Sequence, residues 1–332
     1  MSNTHYVLTE RPLPQLLSLV IPIYNEEEVL GLLLARLDKL LEAIPCPVEV
    51  ILVNDGSRDR SVVLLIEAAK REARYKVISL ARNFGHQIAA TAGLDYATGD
   101  AIVLMDADLQ DPPELVVSMV EKYRLGYDVV YARRIGRQGE TKFKKLTAWM
   151  FYRIMRKLIH KDLPVDVGDF RLMSRACLDV LLQMRELHRF LRGMVTWVGF
   201  AQTDVTFVRP ERAAGETKYP LRKMLLFAWN AAVSFSPLPL RLSLGFGFTI
   251  FGASTLYVVY AIYAVLRGAA LVPGWASSIT FTGLIGGAIL IGIGLLGEYV
   301  GRIFEEIKGR PLYTINLWSN LTPKPPRTRE LS

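Results

Sequence analysis

Runs of apolar residues alternate with helical patterns along the first part of the chain. Four of these runs predict buried strands: Leu16–Tyr24, Val48–Val53, Lys76–Ala81 and Ala101–Met105. After the first run come Glu26, Glu27 and Glu28, acidic residues that favour a helix N-terminus, and then leucines at helical spacing. Strands that alternate with helices predict right-handed βαβ units and a mostly parallel α/β sheet.

Acidic side chains follow three of these strands at the point where each strand ends. Glu26 follows the first run, Asp55 the second, and Asp106 and Asp108 the fourth. Because open parallel sheets bind ligands at the carboxyl ends of their strands, this pattern predicts one shared site. Two carboxylates one residue apart can share a hard cation, which also takes phosphate oxygens as ligands. Taken alone, Asp-x-Asp also fits a solvated acidic turn.

Two long uncharged stretches lie in the last third of the chain. Leu242–Leu266 and Ala269–Gly297 contain no charged residue, and each exceeds the ~20 residues that cross a bilayer as a helix. Only Arg267–Gly268 and the turn residues Pro273–Gly274 interrupt them, which predicts a helical hairpin. Basic residues flank the outer ends of both stretches, and the short connection holds only one. Both ends are therefore predicted on the cytoplasmic side of the membrane.

The segment before the hairpin predicts a helix that lies in the membrane surface. Lys218–Phe235 mixes basic and aromatic residues in an amphipathic pattern, which suits contact with membrane lipids. Lys142–His160 has a similar composition. That second segment also fits a helix packed on the sheet with a solvated basic face.

Glycines in the second stretch favour close helix packing. Gly292, Gly294 and Gly297 match the dinucleotide fingerprint GxGxxG, but they lie inside an apolar span and not between a strand and a helix. Small residues spaced four apart, such as Gly283 and Gly287, favour close approach of helices in a membrane. The spacing therefore predicts self-association into a homo-oligomer. Glu298 and Arg302, also four apart, predict a structural ion pair.

Composition and charge narrow the class of partner. The chain has 332 residues and a formal net charge of +8, which favours anionic partners. Its basic residues cluster beside the apolar stretches, where lipid explains them better than nucleic acid does. The two cysteines, Cys46 and Cys177, provide neither a disulfide framework nor a zinc site.

Six motifs in a fixed order resemble one enzyme family. Pro22–Glu26, Val53–Ser57 and Asp106–Gln110 resemble the family 2 glycosyltransferases, which have a Rossmann-like GT-A fold. The motifs Val167–Arg175, Gly215–Tyr219 and Leu295–Arg302 narrow the resemblance to polyprenyl-phosphate glycosyltransferases. That group includes dolichyl-phosphate mannose synthase and, closest in these motifs, the bactoprenol glucosyltransferases. The resemblance extends from about residue 16 to about residue 313.

The resemblance implies a membrane-bound hexosyltransferase. Its donor would be a nucleotide sugar, UDP-glucose, and its acceptor undecaprenyl phosphate, in a metal-dependent and inverting reaction that supplies cell-envelope glycosylation. Two alternatives stay open: another donor, such as GDP-mannose or a UDP-4-amino-arabinose derivative, and a non-catalytic membrane scaffold. A processive synthase is disfavoured because the sequence lacks Gln-x-x-Arg-Trp.

The resemblance also implies a role for individual residues. The residues implied in donor binding are Pro22, Tyr24, Glu26, Asp55, Asp106, Ala107 and Asp108. Those implied in binding Mg²⁺ or Mn²⁺ are Asp106, Asp108 and Gln110. Asp169 would act at the anomeric carbon, with Asp108 as the second catalytic residue. The candidates for the acceptor phosphate are Arg133, Arg171, Arg212 and Lys218, because guanidinium and ammonium groups pair with phosphate. Asp55 and Asp169 also fit capping roles, the four basic residues also fit ordinary surface charges, and His86 is assigned no chemistry.

These inferences predict five successive parts. Residues 1–15 form an N-terminal tail and 16–210 a cytoplasmic GT-A domain. Residues 211–240 form amphipathic interface helices, 241–302 two transmembrane helices, and 303–332 a cytoplasmic C-terminal tail. The protein is thus expected to be integral to the bacterial inner membrane.

Overall fold

A computed structural model of the chain describes residues 7–135, 167–208, 238–267 and 274–321. These residues belong to two compact units. The first falls within Met1–Tyr219 together with Gly309–Ser332, and the second within Pro220–Lys308. Arg212, Lys218, most of the predicted interface segment 211–240 and all of Lys142–His160 lie outside the described residues.

An eight-stranded mixed sheet forms the centre of the first unit. Its strands are β1 (Leu17–Ile23), β2 (Val48–Asn54), β3 (Tyr75–Leu80), β4 (Ala101–Leu104), β5 (Val129–Arg134), β6 (Val167–Ser174), β7 (Gln202–Phe207) and β8 (Ile315–Ser319). They are arranged in the order β7-β5-β6-β4-β1-β2-β3-β8. The pairs β1–β2, β1–β4, β2–β3 and β5–β7 are parallel, and β3–β8, β4–β6 and β5–β6 are antiparallel.

The four strands predicted from the apolar runs are confirmed, each to within one residue at either end. Among the described residues, six helices flank them: α1 (Glu27–Ala43), α2 (Ser61–Arg71), α3 (His86–Tyr96), α4 (Leu115–Arg124), α5 (Arg175–Gln183) and α6 (Leu191–Val198). Side chains of one strand alternate between two cores, since Leu19 packs with α1, α2 and α4 whereas Val20 packs with α3, α5 and α6. The central strands are therefore buried on both faces, which explains why they are apolar without interruption.

The C-terminal segment returns to this sheet as an edge strand. β8 pairs antiparallel with β3, with Ile78 opposite Trp318 and a bulge between Ser79 and Leu80. The sequence alone predicts a tail here, because a five-residue strand that begins 235 residues after its neighbour β3 ends carries no local signal of its partner.

The second unit contains two long apolar helices, α7 (Leu238–Leu266) and α8 (Trp275–Ile307). Within them, Leu242–Tyr260 and Phe281–Ile307 are long and apolar enough to cross a membrane. The prediction of two apolar helices is thus confirmed, although α8 ends at Ile307, five residues beyond the predicted boundary at 302. The predicted ion pair is present as well, with Glu298 Oε1 2.9 Å from Arg302 Nη2.

The GxGxxG glycines lie inside α8, as the rejection of a nucleotide-binding loop predicts. A β-carbon placed on Gly283, Gly287, Gly297 or Gly301 would meet no described atom within 4 Å. Self-association through these positions stays a prediction, as do the boundaries of the five parts and the membrane side of the termini.

Helix α3 approaches the sheet unusually closely at Gly93. A β-carbon there would lie 2.9 Å from Val53 Cγ2 and closer still to Val20 Cγ1. We therefore expect Gly93→Ala to lower the free energy of unfolding by about 1–3 kcal/mol through overpacking. Gly31→Ala in α1 is the matched control, because a β-carbon there has no neighbour within 4 Å. That control should gain about 0.5–1 kcal/mol from its better helix propensity. Thermal unfolding of the purified chain measures both, and equal midpoints would contradict the packing argument.

Candidate active site

Parallel pairing brings the ends of β1, β2 and β4 to one edge of the sheet. Ile23 at the end of β1 lies opposite Asn54 at the end of β2, and Val20 lies opposite Leu104 at the end of β4. Tyr24 and Asp55 follow β1 and β2 directly, and Asp106 follows β4 after Met105. The residues predicted for donor binding therefore emerge at the same edge, where α/β sheets bind ligands.

The turn after β4 has a strained backbone, and this backbone holds the polar side chains of the turn in place. The backbone N–H of Gln110 donates to Asp108 Oδ1 over 3.1 Å. Leu109 between them has φ 56°, in the left-handed region that costs a non-glycine residue roughly 1–2 kcal/mol. Its side chain is buried in the core, which holds it in this conformation. Strain of this kind is often found at functional sites.

Two oxygens of this turn lack hydrogen bonds. Asp106 Oδ1 and Gln110 Oε1 are buried and accept none. His86 Nε2 lies 3.3 Å from Asp106 Oδ1, within ion-pair distance but without hydrogen-bond geometry. Burial raises the pKa of Asp106 to about 6, and repulsion from Asp169, Asp111 and Asp108 adds to this rise while His86 opposes it.

These oxygens fit a hard divalent cation. Two carboxylates and an amide oxygen are the ligand types that Mg²⁺ and Mn²⁺ take, and two of the oxygens accept no hydrogen bond. No three Asp, Glu, His or Cys side chains converge as a metal site anywhere in the described ranges. A cation held by Asp106, Asp108 and Gln110 would thus need further oxygens, as hard cations at phosphate sites usually take.

Asp169 lies beside this turn, on β6, and is surrounded by donors. Its Oδ1 accepts from Arg171 Nη2 over 3.0 Å and from Arg192 Nη2 over 3.5 Å. Its Oδ2 accepts from Gln87 Nε2 over 3.0 Å and lies 3.6 Å from His86 Nε2. Burial alone would raise the pKa of Asp169, but bonding to His86 and the charges of Arg192 and Arg171 outweigh it and hold the pKa far below its ordinary value. Asp169 is therefore charged at neutral pH.

His86, at the first position of α3, is a site residue that the sequence analysis missed. It bridges Asp106 and Asp169, with its Nε2 3.3 Å and 3.6 Å from their oxygens. Burial lowers its pKa, but the bond to Asp169 and the charge of Asp106 prevail and raise the pKa to about 8. A signal for it exists in the sequence, since His86 follows the end of β3 at the same sheet edge. Gln87 and Arg192 carry no comparable signal.

Asp55 organises the loop between β3 and α3. Its Oδ1 accepts from Phe84 N over 2.7 Å, and its Oδ2 accepts from Gly85 N over 2.9 Å and Asn83 Nδ2 over 3.0 Å. Burial raises its pKa although these backbone bonds oppose the rise. Asp55 is almost fully buried, so most of its hydrogen-bonding capacity serves the loop that presents His86.

The other predicted donor residues surround this centre. Tyr24 is 43% exposed at the end of β1, whereas Ala107 is buried and Pro22 lies within β1. Glu26 has a pKa raised first by burial and then by the charge of Asp108, so its carboxylate belongs to the same acidic cluster.

The predicted acceptor arginines have different environments. Arg171 has no exposed surface, and its guanidinium lies 5.3 Å from the centre of the Tyr131 ring. Arg133 is partly exposed, and its Nη2 lies 3.2 Å from Asp204 Oδ1. The Nε groups of Arg133 and Arg192 are buried and donate no hydrogen bond. Both arginines therefore retain donor capacity near the site edge.

The bonds of Asp55 predict the effect of changing it. In Asp55→Asn one acceptor oxygen becomes an NH₂ group facing N–H donors, so at least one buried donor loses its partner. We expect the free energy of unfolding to fall by about 1–3 kcal/mol and the amides of residues 83–88 to exchange hydrogen faster. Hydrogen exchange followed by mass spectrometry measures this, with Asp179→Asn on the exposed face of α5 as the control. Unchanged exchange in 83–88 would contradict the assigned role.

Comparison with known proteins identifies the family. The family model for glycosyl transferase family 2 matches residues 18–182. The uncharacterized glycosyltransferase YkcC of Bacillus subtilis is 48% identical over 298 residues, which cover 90% of this chain and 92% of that protein. The SfII prophage-derived bactoprenol glucosyl transferase of Shigella flexneri is 39% identical over 300 residues, covering 90% of this chain and 97% of that protein.

Among solved structures, mannosyl-3-phosphoglycerate synthase from Rubrobacter xylanophilus is similar with a TM-score of 0.49 at 19% identity. The similarity covers 69% of this chain and 74% of that one. Because the curated relatives match nearly the whole chain at well above 30% identity, the family is established. The chain is a GT-A-fold enzyme of glycosyl transferase family 2.

Proposed function

We propose that this enzyme transfers glucose from UDP-glucose to a polyprenyl phosphate, undecaprenyl phosphate, at the cytoplasmic face of the membrane. The observation that carries the proposal is the pair of buried oxygens on Asp106 and Gln110 that accept no hydrogen bond, at the sheet edge of a family 2 glycosyltransferase. Relatives that match 90% of the chain and are named bactoprenol glucosyl transferase support the sugar and the acceptor. Two apolar helices suit an acceptor that stays in the membrane.

The donor diphosphate would lie over the turn after β4. Asp106, Asp108 and Gln110 would hold Mg²⁺ or Mn²⁺ there, in keeping with the oxygen ligands that these ions prefer. When bound, the cation neutralises negative charge on the departing diphosphate. Tyr24, exposed at the end of β1, and Pro22, Glu26 and Ala107 would line the nucleotide side. Asp55 would hold the adjoining loop in place.

The reaction is a single displacement at C1 of the sugar. An oxygen of the acceptor phosphate forms a bond to C1 while the bond from C1 to the diphosphate oxygen breaks. The electron pair of that bond leaves with the nucleoside diphosphate, and the configuration at C1 inverts. A phosphate monoester has a second pKa of about 6, so it attacks as an anion at neutral pH and transfers no proton to the enzyme.

Asp169 would therefore orient groups and not accept a proton. Its low pKa makes it a poor base, whereas its four contacts fix His86, Gln87, Arg171 and Arg192 around one point. These donors would in turn orient the sugar hydroxyls and the anionic groups. Asp108 would act on the other side of the sugar, next to the diphosphate.

The acceptor phosphate would bind to cations at the site edge. Arg133 and Arg192 keep a buried N–H without a partner, which suits pairing with an anion. Arg171 is completely buried and bonded to Asp169, so we assign it to supporting Asp169 and not to direct phosphate contact. Arg212 and Lys218 stay proposed phosphate ligands from outside the described residues.

A substrate panel tests the proposal on the purified full chain. It measures lipid-phase incorporation of label from UDP-glucose, GDP-mannose and UDP-4-amino-arabinose derivatives into undecaprenyl phosphate, with Mg²⁺ or Mn²⁺ and with or without chelator. Chelator-sensitive transfer from UDP-glucose is the expected result. Transfer from another donor alone would overturn the sugar assignment. Nucleotide binding without any transfer would point to a donor or acceptor outside the panel, and the absence of both binding and transfer would favour the scaffold alternative.

Asp108→Asn separates the metal site from folding. Removing one carboxylate should lower the transfer rate by about 100-fold or more, because the cation loses a charged ligand. The same change relieves repulsion among the acids, so the metal-free protein should unfold at an unchanged or higher temperature. Wild type should gain thermal stability when UDP and Mn²⁺ are added together, and Asp108→Asn should not. Asp179→Asn again serves as the control, and metal-dependent transfer by Asp108→Asn at the wild-type rate would refute the assignment.

A further inference from the structure

The segment that follows α8 is built into the catalytic unit by specific side-chain contacts. Besides the β8–β3 ladder, the backbone N–H of Ala81 donates to Thr314 O over 2.9 Å. The side chain of Asn320 donates to Ala69 O and Tyr75 O over 2.7 and 2.9 Å. Tyr313 is buried among the side chains of the core that contains α3. The sheet edge is therefore completed by residues that follow both apolar helices in the chain.

The hydroxyl of Tyr313 is hydrogen-bonded to a buried ion pair whose acid, Asp95, lies on α3. Its hydroxyl donates to Asp95 Oδ2 over 2.7 Å, and Arg185 donates to both oxygens of Asp95 over 2.9–3.1 Å. The side chains of Asp95 and Arg185 are only 3% and 8% exposed. Burial raises the pKa of Tyr313, and the neighbouring Asp95 charge raises it further, so the hydroxyl keeps its proton and stays a donor.

Helix α3 connects this group to the active site. Asp95 lies in its last turn, and His86 and Gln87 form its first turn, about 14 Å away at 1.5 Å per residue. Every residue from Ala89 to Tyr96 is buried, and Gly93 presses directly on the sheet. A buried helix of this kind moves as one body, because close-packed interiors have little room for bending.

The contacts at the first turn of α3 are sensitive to such movement. His86 Nε2 is 3.3 and 3.6 Å from the two carboxylates, and Gln87 joins Asp169 to the backbone N–H of Leu191 at the start of α6. No side chain caps the N-terminus of α3. A displacement near 1 Å along the helix would break these contacts, and misplacement of that size can cost an enzyme about 100-fold in rate.

We infer that Tyr313 is a positioning residue of the active site. Through Asp95 it fixes α3 along its axis, so that His86 and Gln87 reach Asp106 and Asp169. The C-terminal segment thus belongs to the catalytic apparatus, although it follows the membrane helices in the chain. The inference rests on the proposed function in one respect: the activity assay that tests it uses the proposed substrates.

Two Tyr→Phe variants test this with matched chemistry. Tyr313→Phe removes the bond to Asp95. Tyr75→Phe removes a hydroxyl that likewise donates over 2.7 Å to a carboxylate, Asp38 Oδ1, from a buried ring in the core on the opposite face of the sheet. Both variants lose one hydrogen bond to a carboxylate. The drop in thermal stability should be larger for Tyr313→Phe, because Asp95 is 3% exposed whereas Asp38 is 41% exposed and water can replace its lost donor. Only Tyr313→Phe should affect α3.

The expected result is a split between the two variants. Tyr313→Phe should lower kcat about tenfold, leave the KM for acceptor within about twofold, and accelerate hydrogen exchange of the amides of residues 86–90. Tyr75→Phe should keep kcat within about twofold of wild type. Equal kcat losses in the two variants, or wild-type kcat and exchange in Tyr313→Phe, would overturn the inference.

Two further measurements keep the test decisive. If Tyr313→Phe fails to fold, Asp95→Asn keeps the volume and weakens the bond from Tyr313, because a neutral amide replaces its charged acceptor, and it should show the same selective fall in kcat. If wild type transfers no sugar at all, the proposed function fails, but the exchange of residues 86–90 still decides the inference. Unchanged exchange there in every variant that folds would refute it.

Discussion

Repulsion among carboxylates at one edge of the sheet is the constraint on which the site depends. Parallel pairing of β1, β2 and β4 brings Glu26, Asp106 and Asp108 together, and antiparallel β6 adds Asp169. Burial and mutual repulsion raise the pKa values of Glu26 and Asp106. Such an arrangement is unfavourable by itself, because keeping several neighbouring acids ionised in a poorly solvated cluster costs free energy. Every other feature of the site responds to that imbalance.

The fold compensates the two sides of the cluster differently. Asp169 receives Arg171, Arg192 and His86, and its pKa falls well below the ordinary value. Asp106 keeps one oxygen without a hydrogen bond, and its pKa stays near 6. One carboxylate is thus neutralised by the protein, whereas the other retains unsatisfied charge and lone pairs. A site divided in this way is suited to receive a cation on the Asp106 side only, and to keep Asp169 fixed whether or not the cation is bound.

The sequence predicts the strands and the acids at their ends because both signals are local. An apolar run of five to nine residues and the carboxylate after it fix where Asp55, Asp106 and Asp108 emerge, once the strands are parallel. Arg171 marks the limit of this reasoning. Phosphate chemistry predicts an accessible cation at this position. Because β6 is buried on both faces, however, a charged side chain there must form an ion pair inside the protein. Roles for Gln87 and Arg192 depend on tertiary contacts with Asp169, which lies 82 positions from Gln87 and 23 from Arg192, and no local pattern encodes them.

The same reasoning explains why the C-terminal strand escapes prediction and why it matters. Tyr313 and Asp95 are 218 positions apart, and the two apolar helices lie between them in the chain. A hydrogen bond over that separation closes a long loop, which costs conformational entropy that only specific, buried contacts can offset. The contacts of Tyr313, Asn320 and β8 are of this kind. Since the nucleophile in the proposed reaction is already an anion, rate depends on where the donors lie and not on a base. Fixing the helix that carries His86 and Gln87 is then a direct way for a distant segment to serve catalysis.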